Sequence, residues 1–66
     1  MRLSINGEMK TFTNSINLSK LLEILNIQIN GVAVAINMEI VSRNKYNETI
    51  LNDEDEIEIV RAVGGG

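Results

Sequence analysis

Ala62-Val63-Gly64-Gly65-Gly66 is the part of this chain equipped for chemistry. A glycine run at a chain end presents an unhindered carboxylate on bare backbone. Without a Cβ, glycine adopts almost any φ/ψ and passes through narrow channels. Glycine also loses the most conformational freedom when fixed, so a folded core gains nothing by ending this way. The expected reactive group is the carbonyl carbon of Gly66, with Gly64 and Gly65 threading the active site of another protein. Arg61 and Val63, just before the glycines, are candidate docking contacts for that protein.

Absent residue types narrow the chemistry further. The chain has no histidine, cysteine, tryptophan or proline. Histidine is the side chain whose unperturbed pKa lies near neutrality, and cysteine is the most nucleophilic. Without them, and with a fold too small for a deep pocket, the chain is not expected to be an enzyme itself. Disulfides and the usual zinc clusters are ruled out. No bound cofactor is expected.

Sixty-six residues make one small domain, which buries only about 60% of its unfolded surface. The core must come from Ile, Leu and Val, with Phe12 and Tyr46 the sole aromatics. Net charge is −3, with acids gathered at Asp53-Glu54-Asp55-Glu56 and Glu58. That balance argues against nucleic acid, whose partners show a basic stripe. It suits either a partner with a basic docking surface or plain solvation of a small domain. No window approaches the ~18 apolar residues of a membrane span, and no signal-peptide pattern opens the chain. A cytoplasmic monomer is the default expectation.

The elements that must position the tail follow from periodicity. Met1 to Ile5 alternates apolar and polar, Asn6-Gly7 is the strongest short signal for a type I′ turn, and Glu8 to Phe12 alternates again. These predict a β-hairpin. From Leu18 the period changes: Leu18, Leu21, Leu22 and Leu25 mark one face of a helix about two turns long. Asn17 is placed to cap it, with Ile16 as a staple against Leu21 and Asn26 as the stop. Asn30-Gly31 signals a turn. Val32 to Ile36 reads as a central strand, either covered on both sides or flanked by small side chains. Asn37-Met38-Glu39 turns the chain into a short strand at Ile40-Val41. Ser42 to Asn47 is a loop or a single helical turn with Tyr46 partly buried, and Thr49-Ile50-Leu51 returns to the core. An acidic turn at Asn52 to Asp55 leads to the last strand, Glu56 to Val63, which runs straight into the glycines.

The order is β-β-α-β-β-β. One helix cannot be sandwiched by so small a sheet, so it lies across one face. Placing the amphipathic first and last strands side by side and parallel at the sheet centre, with the hairpins outward, yields a β-grasp or ubiquitin-like α+β fold. Its mixed sheet has four to five strands, and a flexible glycine tail follows it. Residues 1–63 form the domain and 64–66 the tail.

Val34-Ala35-Ile36-Asn37 followed by Ile40-Val41-Ser42-Arg43, and Asp55-Glu56-Ile57-Glu58-Ile59 leading into Ala62-Val63-Gly64-Gly65-Gly66, resemble the ThiS family, the sulfur carriers of thiamine biosynthesis. The resemblance spans essentially the whole chain. It implies that a ThiF-like adenylating enzyme uses ATP to form an acyl-adenylate at Gly66. Sulfur from a cysteine persulfide, made by a cysteine desulfurase, then replaces AMP as a thiocarboxylate, and a ThiG-like thiazole synthase receives the sulfur. With no cysteine in the chain, the terminal carbon is the obvious place for sulfur to ride. Five residues from Ala62, fully extended, reach at most roughly 17 Å, enough to enter a tunnel while the body docks outside.

Three departures from the family pattern stand out. Glu54 occupies a position where the family usually has glycine, which implies a different turn or mild strain. Ser42 replaces a common proline, and three glycines end the chain where two are the hallmark. Rival expectations are the small subunit of molybdopterin synthase, which tends to carry a Pro-Pro step absent here, a ubiquitin-like protein modifier, and an interaction module with an inert tail.

Overall fold

The computed structural model describes residues 1–61. The expectations for Val63, Gly64, Gly65 and Gly66 fall outside the described residues. In chain order the elements are β1 (Arg2–Ile5), β2 (Glu8–Thr11), α1 (Leu18–Ile24), β3 (Val32–Ile36), β4 (Glu39–Val41) and β5 (Glu56–Arg61), with a 3₁₀ turn at Arg43–Lys45.

The five strands form one sheet in the order β2-β1-β5-β3-β4. β1 and β5 run parallel, Ile5 beside Ile57, and every other pairing is antiparallel. This is the β-grasp arrangement expected from the amphipathic end strands, with five strands rather than four. Two parallel neighbours need a crossover, and the segment containing α1 provides it. The helix lays Leu18, Leu21 and Leu22 on one face of the sheet. There they meet Leu3, Ile5, Val34, Tyr46, Leu51 and Ile57 to make the core. Each such side chain contributes about 1.5–3 kcal/mol by burial.

Local chemistry sets the ends of α1. The Asn17 side-chain oxygen accepts from the Lys20 N–H at 2.7 Å, as the capping expectation required. At the other end Asn26 takes a left-handed φ of 61°. Its N–H donates to Glu23 O and the Ile27 N–H donates to Leu22 O, at 3.0 and 2.9 Å. That is a Schellman stop with asparagine in the usual glycine place.

Some details differ from the sequence expectations. Asn37 (φ 50°) and Met38 (φ 72°) form the β3–β4 turn by themselves, so Glu39 belongs to β4. β3 is covered on one face only, because a single helix cannot reach the other. Val34 is fully buried while Ala33 is exposed. Ser42 to Asn47 takes the helical-turn alternative, and Tyr46 is buried rather than partly so. Leu51 reaches the core but Ile50 stays exposed. Among the described residues no helix is long and apolar enough to cross a membrane.

Candidate functional site

β5 leads to the glycines, and its place inside the sheet fixes where that exit lies. On one side it pairs with β3 along its length, ending with Arg61 opposite Val32. On the other side β1 stops at Ile5, and the Asn6 side chain continues the pairing. Asn6 Oδ1 accepts from the Ile59 N–H at 2.8 Å, and Asn6 Nδ2 donates to Ile59 O at 3.2 Å. The side-chain amide thus stands in for one more residue of β1. Turn residue Asn6 (φ 52°) does this beside Gly7 (φ 84°), the predicted type I′ pair.

Alternation along β5 sorts its side chains. Ile57 is in the core and Ile59 packs against it, so Arg61 projects on the helix side of the sheet. Arg61 is exposed, as the docking expectation needs. It lines a cleft with Ile27, Gln28, Asn30, Gly31 and Val32. Ile59 is half-buried against the core, so it is packing rather than open surface. Val63, Gly64, Gly65 and Gly66 lie outside the described residues, so their roles rest on sequence.

On the opposite, uncovered face, cross-strand register groups Ser4 with Met9, Ala33 with Val60, and Ala35 with Ile40 and Glu58. Ile40 is 77% exposed and Val60 61%. Met38, at the adjoining turn, is 91% exposed. Periodicity had marked these positions as strand and turn. Their exposure follows from the sheet having one helix.

The acidic cluster divides. Asp53 Oδ1 accepts from the Arg2 N–H at 2.6 Å, and Glu54 pairs with the Arg2 guanidinium. Asp55 is nearly buried; its carboxylate accepts from Asn37 Nδ2 at 2.9 Å and the Asn52 N–H at 2.8 Å. These acids hold the turn to β1 and to the β3–β4 hairpin. Glu56 and Glu58 are exposed and remain at the surface. Glu54 has φ 74°, so the strained alternative for this position is the one realised. Among the described residues no group of His, Cys, Asp and Glu is placed to hold a metal ion.

Sequence inspection missed the proximity of Arg43 to the Arg61 cleft. Arg43 donates to Asn30 Oδ1 at 3.3 Å, and Asn30 lines that cleft. No local pattern signals this, because it depends on where β4 ends relative to β3.

Comparison with known proteins agrees with the geometry. Residues 3–66 match the ThiS family. A crystal structure of the thiamine biosynthesis protein ThiS from Geobacter metallireducens superposes with a TM-score of 0.89 at 33% identity, covering all of both chains. A thiazole synthase of Paramagnetospirillum magneticum is 42% identical over 66 residues, and the chain spans 20% of that protein's length. The ycf40 protein of Porphyra purpurea, described as uncharacterized, is 33% identical over 97% of this chain and 90% of its own length. With the profile covering nearly every residue and the fold matching end to end, the chain belongs to the ThiS family, the sulfur carriers to which its motifs pointed.

Proposed function

We propose that this protein carries sulfur for the thiazole of thiamine on the carbonyl carbon of Gly66, as a co-substrate acted on by other enzymes in the cytoplasm. Residues 1–63 serve as the docking body and 64–66 as the tail. The carboxylate of Gly66 attacks the α-phosphorus of ATP on a ThiF-like enzyme, forming an acyl-adenylate and releasing pyrophosphate. A persulfide sulfur then attacks the acyl carbon and AMP departs. A thiol cleaves the resulting S–S bond, leaving the thiocarboxylate, whose sulfur passes to a ThiG-like thiazole synthase.

The observation that carries this proposal is the family match running through Gly66 in a chain with no cysteine. Two others support it. β5 is paired with β3 up to Arg61 and held on its other side by Asn6 at Ile59, so a docked body holds a defined exit point. A segment resembling this chain also occurs within a protein described as a thiazole synthase.

Intact-mass analysis after incubation with a ThiF-like enzyme, ATP and a persulfide donor tests the proposal. The expected product has one oxygen of the Gly66 carboxylate replaced by sulfur, and deletion of Gly65-Gly66 abolishes it. Attachment of Gly66 to lysine would make the chain a protein modifier. An unaltered terminus would refute both.

A further inference from the structure

The cations of this acidic protein are unevenly compensated. Arg2 pairs with Glu54, Lys10 with Glu8, Lys20 with Glu23 and Lys45 with Glu48. Among the described residues, Arg43 and Arg61 meet no carboxylate within ion-pair distance. Both sit at the same place. Arg61 lies opposite Val32 at the start of β3, and Val41 opposite Val34 brings Arg43, two residues later, alongside that same start. The backbone of Arg61 and that of Arg43 therefore flank β3, one on each side.

Asn30 joins them. Its Oδ1 accepts from Arg43 at 3.3 Å, and it lines the cleft that contains Arg61 and Gln28. A neutral amide oxygen restrains a guanidinium without cancelling its charge, and it occupies one of five N–H donors. Both arginines are exposed, which leaves their remaining donors open to solvent or a partner. Gly31, at φ 87°, makes the turn between Asn30 and β3.

We infer that Arg43 and Arg61, held around Asn30, form a contact for carboxylates that rim the mouth of the activating enzyme's tail channel. Arginine suits this task because its planar fork engages carboxylates bidentately. The rest of the surface strengthens the case. Net charge is −3, so an acidic rim repels this protein in most orientations and attracts it when the basic neck leads. Charge arranged in this way mainly raises the on-rate and fixes docking register. The inference rests on the proposed function in one respect: with the tail used extended, the nucleotide at Gly66 is up to roughly 17 Å from this neck, so protein rather than phosphate meets the arginines.

The test uses the full chain with a ThiF-like adenylating enzyme, comparing wild type, Arg43→Gln, Arg61→Gln, both together, Arg61→Glu, and Arg43→Lys combined with Arg61→Lys. Both arginines are exposed, and a native-like amide NMR spectrum checks each fold. Association of the Gln double variant is expected to slow by about tenfold at low salt, with little change in dissociation and a flatter salt dependence. Arg61→Glu should be slower still, and the lysine pair should recover part of the rate. Wild-type association by the double variant would overturn the inference. So would ATP alone, without enzyme, shifting the Arg43 and Arg61 Nε–H resonances at sub-millimolar concentration, because the occupant would then be a phosphate. If wild type binds but never gains sulfur, the proposed function fails while the association rates still decide the neck contact.

Discussion

Replacing Met38 with glycine should make the protein more stable. Met38 is the second central residue of a two-residue turn whose φ values, 50° at Asn37 and 72° at Met38, are both left-handed. An L-residue with a Cβ in that region costs about 1–2 kcal/mol, and glycine escapes the cost. The Met38 side chain is 91% exposed, so removing it forfeits almost no burial. Against the gain, glycine enlarges the unfolded ensemble, a penalty of about 0.4–1 kcal/mol. The net gain should be about 0.5–1 kcal/mol, or roughly 5 °C in Tm for a domain of this size. Urea titration followed by far-UV circular dichroism measures it, with an unchanged m-value showing that the two-state comparison holds. Met38→Ala is the control: it removes the same side chain but keeps the Cβ, so stability should stay within about 0.5 kcal/mol of wild type. If Met38→Gly is neutral or destabilising, or if Met38→Ala gains equally, backbone strain at this turn is not the cause.

Glu54→Gly should relieve similar strain at φ 74° but lose the exposed ion pair with Arg2, worth about 0.2–1 kcal/mol. Its gain at low salt should fall below that of Met38→Gly and approach it at high salt, where the pair is screened; thermal melts at two ionic strengths check this. Asn6→Ala removes both side-chain hydrogen bonds to Ile59, a loss of about 1–3 kcal/mol. Hydrogen exchange at the Ile59 amide should accelerate well beyond that at core amides, and unchanged protection would show that Asn6 does not clamp β5.

Much of the architecture was legible because the fold is made of strong local signals. Asn6-Gly7 specifies a turn that only left-handed-tolerant residues accept, and the spacing of Leu18, Leu21 and Leu22 specifies which helix face is buried. The β3–β4 turn was harder. Asn37-Met38 lacks the glycine that usually announces a two-residue turn, so the strand boundary shifted by one residue. Tyr46 was underestimated because its burial comes from the packing of a 3₁₀ turn onto the core, which no periodicity encodes.

The glycine run was likewise legible as sequence, because it is a matter of residue type. The placement of the two arginines left unpaired among the described residues was not. Arg43 and Arg61 are separated by a loop, a hydrogen-bonded edge and an acidic turn along the chain, and each alone looks like an ordinary solvated cation. Only the pairing of β3 with both β4 and β5 sets them around Asn30. Residue type and periodicity act over a few positions and can be read one segment at a time. Strand register is a relation between distant segments, decided by which apolar faces must share one core, and it determines which charges become neighbours.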